Sequence, residues 1–147
     1  MFRARGLSLV MMFAATGMIA AQSGKTYRAR LSPVALDIAM QTTVSGSGSV
    51  TSVLTGARLT INGTFDGLKS PATIAQIHKG PVKGVRGPSV FDLTVSPGVT
   101  GTITGTVTLT PVQVTDLEKG RLYVQLHSEK APDGNLWGWL QLQETKR

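Results

Sequence analysis

The sequence predicts an all-β protein, an antiparallel Greek-key β-sandwich of about eight strands with one short helical turn. The first observation behind this lies between Val99 and Thr110. There Val99, Gly101, Ile103, Gly105, Val107 and Leu109 fall on one face, and Thr100, Thr102, Thr104, Thr106, Thr108 and Thr110 fall on the other. Successive strand side chains point to opposite sides, so this period-two separation makes one buried and one wet face, which a helix cannot do. The second observation is turn chemistry. The runs SGSG, GLKSP and GPVKGVRGP separate short β-prone stretches at the spacing of a sandwich.

The chain opens with Arg3 and Arg5, continues through LSLVMMFAATGMIAA and reaches small residues before Gln22. This is the layout of a secretory signal peptide spanning residues 1–21, too short for a stable membrane span, with cleavage expected after Ala21. Processing of the 147-residue chain leaves a single domain, residues 22–147, and lowers the formal charge from +7 to +5 by removing Arg3 and Arg5. The localisation expected is secreted or periplasmic. There is no cysteine, which excludes thiol nucleophiles and cysteine-based metal sites and leaves the fold to its core alone. The dispersed positive charge suits weak contact with anionic polymers or lipid surfaces, and no nucleic-acid motif accompanies it.

Taken in order, Tyr27, Ala29 and Leu31 alternate with Arg28 and Arg30 in a first strand. Further strands are expected at Ser47 to Leu54, Arg58 to Phe65, Thr73 to His78 and Val90 to Val95. Thr115 and Glu118 have capping-box spacing and Gly120 supplies a stop, which places one helical turn before the closing hairpin. That hairpin is GRLYVQLHSEKAPDGNLWGWLQL, Gly120 to Leu142. Its first arm sets Leu122, Val124 and Leu126 against Tyr123, Gln125 and His127, and its second sets Leu136, Leu140 and Leu142 against Trp137, Trp139 and Gln141. Pro132, Asp133, Gly134 and Asn135 are expected to reverse the chain between them. The expected core is Leu59, Ile61, Phe65, Ile103, Val107, Leu109, Val124, Leu126, Leu136 and Leu140.

Two blocks, LYVQLHSEKAPDGNLWGWL and AQIHKGPVKGVRGPSVFDL, together with the strand from Arg58 to Phe65, resemble the CHRD (chordin-type) domain over roughly Tyr27 to Leu142. Gln76 stands where that family usually has the first histidine of a His-x-His pair, and Asn135 and Trp137 stand where it often has Glu and Arg. The resemblance implies an immunoglobulin-like or Cu-Zn superoxide dismutase-like fold and an extracellular module without a settled activity.

Chemistry-bearing residues are few. His78 and His127, the two histidines, each end a strand in the pattern Gln-aliphatic-His, so Gln76 and Gln125 share their faces. Two imidazoles fall short of the three protein ligands of a catalytic zinc site, and neither Asp133 nor Glu129 is placed by spacing to complete a set. No cofactor is therefore expected; a metal, if any, would use His78 and His127. Lys79, Lys83 and Arg86 form the one cationic cluster, a candidate anion contact. Tyr123, Trp137 and Trp139 present aromatic area on the hairpin's outer face, suited to a ligand, a sugar or a homodimer partner. Asn62-Gly63-Thr64 has the glycosylation-acceptor form inside an expected strand. With no nucleophile elbow and no paired carboxylates, the function expected is that of an exported, non-enzymatic binding or interaction module for an envelope or extracellular protein or polysaccharide. The alternative is a superoxide dismutase-like metal oxidoreductase.

Overall fold

The computed structural model describes residues 23–144; the expected signal peptide lies outside the described residues. The strands are β1 Lys25–Pro33, β2 Ser47–Thr55, β3 Arg58–Asp66, β4 Ala72–Lys79, β5 Ser89–Val95, β6 Gly101–Thr108, β7 Leu122–Ser128, β8 Ala131–Trp139 and the short β9 Gln141–Leu142. A helix, α1 Pro111–Glu118, joins β6 to β7, and a 3-10 turn occupies Ala39–Thr42.

All pairings are antiparallel, in the order β2-β3-β6-β5-β4-β7-β8-β1, and β1 returns to β2. The fold is therefore a closed eight-stranded barrel and not the expected sandwich. Two strands close it by turning corners. β1 pairs with β2 from Lys25 to Leu31, then crosses to β8 through Ser32 and Pro33. β5 pairs with β4 from Ser89 to Leu93, then with β6 through Thr94 and Val95. Alternation along a strand reads the same in a sandwich and a barrel, because both bury one side of each strand. The strands β4, β5 and β6 follow one another, and β7 returns by way of α1 to lie beside β4, which is the Greek-key order.

The interior is filled by the alternating apolar set, with Tyr27, Leu31, Leu59, Ile61, Phe65, Ile77, Ile103, Val124, Leu126, Leu136 and Leu140 all at 2% exposure or less. The facing of β6 is as the threonine pattern requires: Ile103 is buried while Thr102, Thr104 and Thr106 are exposed. Val107 is only half-buried at the edge of the core, Val99 precedes the paired run of β6, and Leu142 lies in the short β9 paired with Tyr27, the last two each nearly half exposed.

Two local expectations need correction. The helix is not one turn capped by Thr115 but eight residues capped by Thr110, whose side chain accepts from the Gln113 amide while Gln113 reaches back to the Thr110 amide, with Pro111 at the first helical position. Thr115 sits inside it and bonds back to the Pro111 carbonyl. The closing hairpin reverses at Glu129 and Lys130, between the paired Ser128 and Ala131, rather than at Pro132 to Asn135. Those four residues form a bulge in β8: Leu126 pairs with Leu136 and Ser128 with Ala131, so they stand opposite His127 alone. Turn-forming residue types serve a bulge as well as a reversal, since both need the positive φ that Gly134 adopts at 127°.

Candidate functional site

The outer face of β4, β7 and β8 carries the side chains that the barrel does not need for its core. Register places His78 opposite Tyr123 and Gln76 opposite Gln125 across β4 and β7, then Tyr123 opposite Trp139 and Gln125 opposite Trp137 across β7 and β8. The period of two thus delivers Gln76, His78, Tyr123, Gln125, His127, Trp137 and Trp139 to one side, as the sequence indicates. Their rings pack together: His78 stacks on Tyr123 at 5.0 Å, Tyr123 stacks on Trp137 at 5.6 Å and meets Trp139 at 4.4 Å, and the two imidazole centres are 6.4 Å apart.

This face is covered rather than wet. Residues 80–88 fold back over it, so that Tyr123, Gln125 and Trp137 are buried and Trp139 is half-buried. The Tyr123 hydroxyl accepts from the Gly87 amide and donates to the Gly87 carbonyl, both at 3.0 Å, and the Arg86 guanidinium lies 4.2 Å from the Trp137 ring centre. Gly87 is the residue this closure requires, because a Cβ there would stand 1.8 Å from the Lys79 carbonyl oxygen.

Both histidines are oriented by backbone carbonyls. His78 Nδ1 lies 2.9 Å from the Gly87 oxygen and His127 Nδ1 lies 2.7 Å from the Pro132 oxygen. A carbonyl only accepts, so each Nδ1 carries the proton and each neutral ring keeps its lone pair on Nε2. Burial lowers the His78 pKa, and the neighbouring His127 and Arg86 lower it further against the opposing pull of the Gly87 carbonyl, which favours the neutral ring. The β8 bulge also holds Gln125, whose amide donates to the Asp133 carbonyl at 2.8 Å. What remains is uncompensated: His78 Nε2, His127 Nε2, Gln125 Oε1 and Trp137 Nε1 are buried with no protein partner. Three of these four atoms are acceptors. Buried acceptors in such company are costly unless something donates to them or coordinates them.

Other expected site residues are drawn elsewhere. Gln76 spends its amide on the Asp92 carboxylate at 2.9 Å. The three cations do not converge on an anion: Lys79 pairs with Asp116 at 2.7 Å, Lys83 reaches Gln141 at 3.3 Å, and Arg86 covers Trp137. Glu129 and Asp133 are exposed, and no group of three or more His, Cys, Asp and Glu gathers among the described residues. Sequence reasoning missed the part played by backbone, namely the Gly87, Pro132 and Asp133 carbonyls that aim the side chains. It also missed Asp116, buried where α1 meets β4 and β7 and bound by Lys79 and by Arg121 at 3.4 Å. Asn135 is buried and structural, donating to Ser128 Oγ and accepting from the Ser45 amide.

No helix among the described residues is long and apolar enough to cross a membrane. Neither the curated proteins nor the solved structures contain a match to this chain. The model of the CHRD domain matches residues 27–140, which takes in the eight barrel strands apart from Lys25 and Thr26 of β1, and with them the roofing loop and both histidines. On that match the chain belongs to the CHRD domain family.

Proposed function

We propose that this chain is an exported, non-catalytic binding module whose ligand sits on the outer face of β4, β7 and β8 beneath residues 80–88. Export follows from the N-terminal leader pattern of Arg3, Arg5 and the apolar run that ends at Ala21. The observation that carries the binding reading is the set of buried, unpartnered polar atoms on His78, Gln125, His127 and Trp137. Tyr27 and Ser52 elsewhere in the barrel also bury unpartnered hydroxyls, but this face gathers four such atoms side by side, a desolvation cost that one ligand would offset. The oxidoreductase alternative has less support, since it rests on two imidazoles whose Nε2 atoms are shut away from solvent.

Native mass spectrometry of the protein recovered from its own host compartment tests this directly. The expected result is a chain that begins at Gln22 and carries a bound mass, with that mass absent from Gln125→Leu. A chain that retains residues 1–21, or the same unliganded mass for wild type and Gln125→Leu, contradicts the proposal.

A further inference from the structure

Resting on the binding reading just given, we infer that the ligand is a single soft monovalent metal ion, Cu+, held in linear coordination between His78 Nε2 and His127 Nε2 with Gln125 Oε1 beside it. Both imidazoles are prepared in the manner of metal ligands, with Nδ1–H donated to a fixed carbonyl and Nε2 left as a bare acceptor. The separation of the ring centres agrees with one geometry, given Nε2 atoms turned toward each other. Two rings bound through Nε2 at metal–nitrogen bonds of about 2.0 Å have centres roughly 5 Å apart at a tetrahedral angle and roughly 6.3 Å apart when linear. The observed spacing is 6.4 Å, with the ring planes 30° apart.

The surroundings select the charge. The lining is two imidazoles, one amide and the rings of Tyr123 and Trp137, without a carboxylate within the set, and the Arg86 guanidinium lies over the Trp137 ring. A divalent ion would leave two uncompensated charges there, whereas a monovalent d10 ion leaves one and is matched in coordination number by two nitrogen ligands. Gln125 is 1% exposed and its oxygen faces no protein donor, so an adjacent cation would satisfy it. The roofing residues 80–88, closed by Tyr123 and Arg86, exclude water from the ion.

The test titrates the leaderless protein with Ag+, as a redox-silent stand-in, and with Cu+ under anaerobic competition from a chromophoric chelator. It also records imidazole nitrogen resonances on the wild type. One equivalent should bind, both Nε2 resonances should move while both Nδ1–H groups persist, and His78→Ala or His127→Ala should weaken binding by at least about 100-fold. Failure to hold one equivalent against the chelator, unchanged Nε2 resonances, or equal affinity for Zn2+ would each overturn the assignment. The wild-type resonances need no variant to fold. A non-metal mass that native mass spectrometry finds lost in Gln125→Leu would remove the metal assignment while leaving the binding reading in place.

Discussion

Gly134 combines two requirements that no other residue type meets. Its φ of 127° lies where side chains are strained, and a Cβ there would stand 2.2 Å from Gln125 Nε2 and 3.0 Å from Trp137 Nε1. Gly134→Ala should therefore cost about 1–3 kcal/mol in denaturant melts and push Gln125 and Trp137 out of their packing. Tryptophan emission reads the second effect. Trp137, at 7% exposure in the folded chain, should contribute blue-shifted emission that iodide does not quench, and Gly134→Ala should shift it to the red and expose it. Asp116 is the other residue whose surroundings decide its behaviour. Burial pushes its carboxyl up, but Lys79 and Arg121 outweigh that and hold it below the ordinary 3.8. Because the folded value is depressed, the stabilisation is complete above the unfolded value and is lost as pH falls through the folded one. Asp116→Asn should be less stable than wild type by about 1–2 kcal/mol at neutral pH, less than for a fully buried pair because Lys79 and Arg121 keep some solvent. That gap should narrow as pH is lowered through the carboxyl range, and a gap that widened instead would reverse the assigned sign.

At the scale of elements, α1 offers a clean comparison between the cap the structure shows and the one the sequence suggests. Thr110→Ala removes the side chain that accepts from the Gln113 amide and should cost about 0.5–2 kcal/mol, whereas Thr115→Ala, inside the helix, should be near neutral. Strand identity was legible because alternation is a local property: Tyr27, Ala29 and Leu31, or Ile103 among its threonines, declare a buried side without reference to any partner. The cap and the bulge were less so. Thr110-Pro111-x-Gln113 is as good a start signal as Thr115-x-x-Glu118, and the choice between them depends on where β6 stops. Likewise, Pro132 to Asn135 have the backbone preferences of a turn, but the two-residue reversal at Glu129 and Lys130 is fixed by the Ser70 hydroxyl and the Pro71 carbonyl, which bond Lys130 and Glu129 from another part of the chain. The candidate site divides in the same way. Its side chains were legible from register, while the carbonyls that orient them and the loop that covers them come from tertiary folding.

For the whole molecule, closure is the property that alternation does not encode, because it depends on the corners of β1 and β5 and on Ser32 and Pro33 changing partner. A closed barrel without disulfides depends on its filled interior, so Leu126→Ala, at a fully buried position, should cost about 2–4 kcal/mol. Val107→Ala at the half-buried edge should cost about 1 kcal/mol, and Thr104→Ala or Thr106→Ala on the wet face less than about 0.5 kcal/mol. The barrel's interior gives it stability, and its outer face on β4, β7 and β8 is the proposed binding site, because there the fold gathers acceptors and covers them. The claim on which this account turns is that both imidazoles donate Nδ1–H to their carbonyls and leave Nε2 bare. Long-range proton–nitrogen correlation spectra of the imidazoles in the ligand-free protein at neutral pH measure this without any ligand or substitution. The account predicts that His78 and His127 each show a protonated Nδ1 and an unprotonated Nε2 in a single fixed tautomer. Protonated Nε2 atoms, or an averaged mixture of tautomers, would contradict it.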